Sequence, residues 1–137
     1  MKGAKPFSLE VRVYYEDTDA GGVVYYANYL KFMERARTEW LAALGFPLAR
    51  FEHEHGVAFV VRHVEIDFLR AARLNDVLAV TVEVLERGGS KLVARQDVIR
   101  GHEQLTTASV TLACLDNARW RPTRIPALLA AAMENPA

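Results

Sequence analysis

The sequence predicts an α+β domain in which an antiparallel sheet of five strands wraps one long helix. Three observations lead there. In the first segment Phe7, Leu9, Val11, Val13 and Tyr15 alternate with Ser8, Glu10, Arg12 and Glu16, the period-2 pattern of a strand with one buried face. Apolar residues then recur every three or four positions, at Tyr29, Phe32, Met33, Ala36, Trp40 and Leu44, which is the wide stripe of an amphipathic helix. Period 2 returns afterwards in four further segments, and a single helix suffices to cover one face of such a sheet.

Taken in order, the first strand runs to Tyr15, with Tyr14 on the polar parity, and stops at the turn formers Asp17-Thr18-Asp19-Ala20-Gly21-Gly22. The helix follows. Asn28 is placed to be its N-cap, Gly45 fits the C′ position and Pro47 prevents continuation. Lys31, Glu34, Arg35, Thr38 and Glu39 fill its polar side, and Arg35 and Glu39 are spaced to pair at i, i+4. A short second helix is predicted from Leu48 to His55, ended by Gly56. Strands are predicted over Val57 to Leu69, Val77 to Arg87, Lys91 to Arg100 and Gln104 to Leu115, with Gly88-Gly89-Ser90 as a hairpin turn and Gly101-His102-Glu103 as a second connection. A small helix, Ala127 to Met133, closes the chain. Each of the last three strand connections is short enough to join antiparallel neighbours. Leu105 and Leu115 are expected on the outer face of the sheet, where dimerisation would cover them.

Composition narrows the class. The 137 residues carry 17 Lys plus Arg against 17 Asp plus Glu, so the formal net charge is zero, which argues against a general nucleic-acid binder. A hydrophobic fraction of 51% with 25% charged residues is that of a folded globular chain. No run of 18 or more apolar residues occurs, so no membrane span is expected, and the N-terminus lacks the apolar core of a signal peptide. Cys114 is the one cysteine, too few for an intrachain disulfide or a cysteine-rich zinc site. Length and the absence of linkers or repeats predict one cytoplasmic domain over 1–137.

The densest chemistry lies between Tyr15 and Tyr29, where Asp17 and Asp19 stand in a Gly-bearing loop just before a helix. A calcium loop of the EF-hand kind needs ligands at positions 1, 3 and 5, Gly at 6 and Glu at 12. Counted from Asp17, Gly21 falls at 5 and Asn28 at 12, and a strand stands where a flanking helix is needed. Two readings remain open on residue chemistry alone. The aspartates could cap backbone amides in Asx-turns. Alternatively, a carboxylate could face the same ligand as the free amides of the helix N-terminus, which form an oxyanion site suited to hydrolysing an activated ester or thioester. The pair His53 and His55 is two residues apart on a helix, so the rings diverge, and no third metal ligand is identifiable.

The stretch from Tyr15 to Arg37, with Asp17-Thr18-Asp19-Ala20-Gly21-Gly22-Val23-Val24-Tyr25 and Glu34-Arg35-Ala36-Arg37, resembles the acyl-CoA thioesterases of the hotdog fold. Within them it is similar to the 4-hydroxybenzoyl-CoA thioesterase family, in the YbgC-like branch associated with the Tol–Pal envelope system. Phe59-Val60-Val61-Arg62 through Ala72-Arg73-Leu74-Asn75-Asp76 resembles the same branch, and the likeness covers about residues 7 to 130.

The resemblance implies a hotdog domain that hydrolyses an acyl-CoA to a carboxylic acid and free CoA. The family's catalytic aspartate falls on Asp19, as nucleophile or general base, and Asp17 becomes a support for the loop. The amide that polarises the thioester falls on Tyr26, a role in tension with Asn28 as N-cap. Many relatives carry His at this position, so the Tyr side chain departs from the branch. Arg87 and Lys91, flanking the Gly88-Gly89-Ser90 turn, are the implied contacts to the CoA phosphates, and Arg119, Arg121 and Arg124 form a second basic group. Another hotdog branch uses a helix Glu, but Glu34 points away from the apolar stripe. Hotdog dehydratases need a His near the acidic residue, and the first His after Asp19 is His53. No cofactor is implied, CoA being part of the substrate, and acyl-carrier protein is the alternative carrier. A homodimer or homotetramer is implied, with the active site at the dimer interface. A non-catalytic module that binds acyl-CoA or acyl-carrier protein is the competing reading.

Overall fold

Residues 6–134 are described by the computed structural model, so positions 1–5 and 135–137 of the expected single domain lie outside the described residues. The elements are β1 (Phe7–Arg12), a 3-10 turn (Tyr15–Asp17), α1 (Asn28–Ala43), α2 (Leu48–His55), β2 (Val57–Phe68), β3 (Val77–Arg87), β4 (Lys91–Arg100), β5 (Glu103–Asp116), a two-residue β6 (Arg121–Pro122) and α3 (Ala127–Glu134). The five long strands form one antiparallel sheet in the order β1-β3-β4-β5-β2, with β6 paired to β5. This is the expected curled sheet with one long helix.

α1 is held by its apolar stripe. Tyr29, Phe32, Met33, Ala36, Trp40 and Leu41 are buried, and Leu44 is half-buried instead of fully covered. They pack with Leu78, Val80 and Val82 of β3 and Leu92, Ala94 and Val98 of β4 in the central core. The helix stops as its sequence requires. Gly45, at φ +97°, donates its N–H to Ala42, and Phe46 donates to Leu41, which together make a Schellman cap. The Arg35 guanidinium lies 5.8 Å over the Phe32 ring instead of pairing with Glu39. On α2, Phe51 is buried and stacks on Phe59 of β2 at 6.0 Å, and α3 contributes Leu129 and Met133 to the core.

Four expectations are corrected. β1 ends at Arg12, because Val13 leaves the ladder to exchange hydrogen bonds with Asn75 and Asp76 (2.9 Å each); the following 3-10 turn then throws Tyr15 out to 83% exposure. β2 is not the neighbour of β3. The eight residues 69–76 between them cross over β5 and β4, a span of about 14 Å that eight extended residues cover with ease. A bulge in β5 between Gln104 and Thr106 turns Leu105 inward, where it is fully buried, and Leu115 is covered within the chain beside Pro122. The outer face therefore lacks the apolar pair expected there. Finally, Asn28 is the first residue of α1 and not its cap. That position is Ala27, which has helical dihedrals and no side-chain bond.

One polar network crosses the core. Gln96, fully buried, donates through Nε2 to the carbonyls of Met33 (3.0 Å) and Thr81 (3.2 Å), while its Oε1 accepts from Arg37 Nη1 (2.9 Å). It fills a gap in the β3–β4 ladder, where Thr81 Oγ1 accepts the Asp97 N–H at 2.9 Å. Burial lowers the pKa of Arg37, with the charge of Glu34 opposing. Among the described residues, no helix is long and apolar enough to cross a membrane.

Candidate active site

The Asp-rich segment folds as a small hairpin closed by its own backbone. Thr18 and Val24 form an antiparallel bridge, the Asp19 N–H donates to Val23 (2.9 Å), and the Gly22 N–H donates back to Asp19 (3.0 Å). The result is a β-turn with Asp at i and Gly at i+3, where Gly22 takes φ +82°. The Asp19 carboxylate is exposed. One oxygen, Oδ1, accepts the Gly21 N–H at 2.8 Å. A Cβ built on Gly21 would lie 3.2 Å from that oxygen, so glycine lets the carboxylate lie down on the backbone.

Asp17 has the other role. It is 9% exposed, its Oδ2 accepts the Tyr14 N–H at 2.8 Å, and its carbonyl accepts both the Tyr25 N–H (3.0 Å) and the Asn28 side-chain amide (2.9 Å). Asn28 thus ties the first turn of α1 to the base of the hairpin. This removes the tension over Tyr26: the helix begins after Tyr26 and Ala27, and neither N–H has an acceptor among the described residues. Free amides at a helix start carry the positive end of the helix dipole. Asp19 and the Tyr26 amide therefore belong to one hairpin-and-helix unit.

An aromatic wall stands beside that unit. Tyr26 is 62% exposed and meets Phe68, at the end of β2, edge-on at 6.0 Å; Phe68 also lies 5.7 Å from Tyr29, and Tyr25 is 5.0 Å from Tyr26. The crossover 69–76 packs behind it. Ala72, fully buried, accepts the Val24 N–H (2.8 Å) and donates its own N–H to the Tyr29 hydroxyl (2.9 Å), while Arg73 bridges Val23. Burial raises the pKa of the Tyr29 phenol above its ordinary value. Asp76 Oδ2 accepts from the Arg73 N–H (2.8 Å) and from Arg100 Nη1 (2.7 Å). Burial pushes the Asp76 carboxyl up, but the Arg100 and Arg73 hydrogen bonds and charges outweigh it and hold the pKa below the ordinary carboxylate value.

Arg87 and Lys91 lie elsewhere. The Asp19 hairpin follows the end of β1 that pairs with Val77, whereas Arg87 closes the opposite end of β3. Ten residue steps of strand separate the two ends of β3, about 33 Å. Arg87 is paired with Glu134 of α3, Lys91 with Glu86 at 2.9 Å, and Arg87 Nε is buried with no partner among the described residues. Arg119, Arg121 and Arg124 are exposed near that same far end, following β5. Glu34 is exposed. Sequence pattern places Phe68 only within the strand predicted over Val57 to Leu69 and gives Arg73 and Ala72 no role. Phe68 was accessible, since it shares the inward parity of Val64 and Ile66. The placement of Ala72 and Arg73 depends on a crossover that local pattern does not encode.

A model of the thioesterase superfamily matches residues 21–107. The chain is 46% identical over 129 residues to an acyl-CoA thioesterase YbgC of Haemophilus influenzae, covering 94% of this chain and 95% of that one. It is 42% identical over 121 residues to an acyl-CoA thioester hydrolase YbgC of Escherichia coli, covering 88% and 90%. Among solved structures, a probable thioesterase from Bartonella henselae superposes with a TM-score of 0.83 at 35% identity, over 89% of this chain and 100% of that one. Likeness of sequence over nearly the full length and likeness of fold agree, and this chain belongs to the thioesterase superfamily with its hotdog architecture.

Proposed function

We propose that the chain hydrolyses acyl-CoA thioesters, with Asp19 as the reacting carboxylate and the Tyr26 N–H as the donor to the thioester oxygen. The observation that carries this reading is one hairpin-and-helix unit holding an exposed carboxylate and, just before α1, the amides of Tyr26 and Ala27, which have no acceptor among the described residues. Asp19 Oδ1 is occupied by Gly21, so Oδ2 is the reacting oxygen. As general base it takes a proton from water as the water oxygen bonds to the acyl carbon. As nucleophile it forms a mixed anhydride, which water then cleaves. In both routes negative charge grows on the carbonyl oxygen, where the Tyr26 amide meets it. The C–S bond then breaks, and CoA leaves as a thiolate that takes up a proton. One such donor is worth about 3 kcal/mol in the transition state. The carboxylate and water suffice, with no cofactor beyond the CoA of the substrate.

Two features support a site completed by a second copy. β2 is an edge strand twelve residues long, and Val61 and Phe68 on its inward parity are about half exposed. An unpaired edge of this length is a template for another strand. Phe68 lies on that edge and touches Tyr26, so a homodimer paired there places the acyl group at the dimer interface. The second feature is the separation of Arg87 and Lys91 from Asp19 along β3. Their contact with the CoA phosphates of a given Asp19 requires a neighbouring subunit, and a homotetramer of two such dimers provides further neighbours. Acyl-carrier protein offers the same thioester.

The test is release of free thiol from short, long and aromatic acyl-CoA substrates, run beside equilibrium binding of the same compounds and sedimentation. Turnover by an oligomer is the expected result. Binding without turnover of any CoA or carrier-protein thioester would make the chain a binding module instead.

A further inference from the structure

We propose that Tyr29, with the Asp76–Arg100 pair behind it, is a positioning residue that sets the Asp19 carboxylate against the free Tyr26 amide just before α1. The inference rests on the reading of Asp19 given above. Asp19 needs outside positioning because its carboxylate is exposed and has one hydrogen bond among the described residues, from Gly21 in its own turn. Its location is therefore the location of its hairpin.

That hairpin is held from behind by the backbone of one residue, Ala72, beside the Val23–Arg73 bridge. The Ala72 carbonyl takes the Val24 N–H at 2.8 Å, directly across the Thr18–Val24 bridge, and the Ala72 N–H goes to the hydroxyl of Tyr29, the second residue of α1, at 2.9 Å. Ala72 thus links the strand that carries Val23, the backbone acceptor of Asp19, to the helix whose start carries the Tyr26 amide. Both bonds join buried residues, so they set the spacing of the two reacting groups.

Ala72 is itself clamped through both neighbouring residues. Asp76 Oδ2 closes the turn by accepting from the Arg73 N–H, and Arg100 Nη1 reaches both Asp76 (2.7 Å) and the Ala71 carbonyl (3.2 Å). Asn75, at φ +71°, and Asp76 exchange backbone hydrogen bonds with Val13, just upstream of the hairpin. Arg100 is anchored in turn by Glu103 at 3.1 Å.

The experiment compares wild type, Tyr29→Phe, Asp19→Asn and the double variant on the acyl-CoA that wild type turns over fastest. Tyr29→Phe keeps the ring in its core site and removes only the acceptor for Ala72. Expected are a drop in kcat of about 10- to 100-fold, a KM within about twofold of wild type, and an unchanged circular dichroism spectrum. Because the effect passes through Asp19, Tyr29→Phe adds no further loss to Asp19→Asn. A wild-type kcat in Tyr29→Phe overturns the inference, as does an equal loss in both backgrounds. Full activity in Asp19→Asn would instead overturn the reading of Asp19 itself. Asp76→Asn is the second variant, applied in the same comparison if Tyr29→Phe does not fold. It removes the charge that binds Arg100 but keeps an oxygen for the Arg73 N–H, and the same kcat loss at constant KM is expected.

Discussion

Asp19 and Gly21 form a pair in which the missing side chain matters as much as the present one. With a methyl group at Gly21 only 3.2 Å from Oδ1, the carboxylate must give way by a few tenths of an ångström, which disturbs its bond to the Gly21 N–H. The φ of Gly21 is not in the left-handed region, so the fold is not at issue. Gly21→Ala is expected to keep its thermal midpoint and lose about tenfold in kcat, read by thiol release. Cys114 gives an independent check on burial. It is fully buried, and burial pushes its thiol up to about 11. At pH 8 an unfolded thiol is roughly a hundred times more ionised than one titrating there. Native chain should therefore react with a disulfide reagent at least 100-fold more slowly than urea-unfolded chain, and comparable rates would contradict the packing of β5. At this scale the turn that exposes Asp19 was legible in the sequence, because the two carboxylates, two glycines and a helix start are contiguous. It could not show Tyr29 as a hydroxyl partner, since Ala72 is 43 positions away.

At the scale of elements, periodicity was a good guide where burial alone decides it. β3, β4 and α2 have the bounds that alternation and turn residues predict. It failed where hydrogen bonds outside the ladder take over, at Val13, and where a bulge reverses parity, at Leu105. Nor did pattern show why Gln96 stands at an inward position of β4, among Ala94 and Val98. Its amide joins sheet to helix, and it is the partner of Arg37 among the described residues. Gln96→Leu strands the Arg37 cation and two carbonyls, and a loss of about 3 kcal/mol in urea unfolding is expected. Changing Arg37 to Met at the same time should recover part of that loss, because both ends of the bond are then removed. The Asp76 clamp has a pH signature. Its carboxyl titrates below the ordinary value in the folded chain, so its contribution is complete above about pH 4 and is lost as pH falls through the lowered folded value. Asp76→Asn should thus be less stable than wild type at pH 7, with the gap narrowing as pH falls below the ordinary carboxylate range. A gap that widens on acidification would mean that Arg100 does not hold the charged form.

At the scale of the molecule, the sheet order was the part least visible in the sequence. A connection of eight residues joins neighbours or crosses two strands equally well, and only the crossover leaves β2 at an edge. That edge, and not an apolar outer face, is where exposed Val61 and Phe68 collect. The outer face carries Glu65, Asp67, Arg95, Thr107 and Ser109 around a shallow cavity of about 550 Å³ that contains none of the candidate site residues. Sedimentation should accordingly show an oligomer that Val61→Arg weakens. In the function proposed above, assembly, positioning by Tyr29 and the free Tyr26 amide all serve a single oxygen of Asp19. The direct test is therefore kcat/KM for thiol release by Asp19→Asn, a change that keeps the Gly21 bond and removes the charge. The expected result is a folded, oligomeric protein at least about 1,000-fold less active than wild type. A folded Asp19→Asn variant with wild-type turnover would contradict the account.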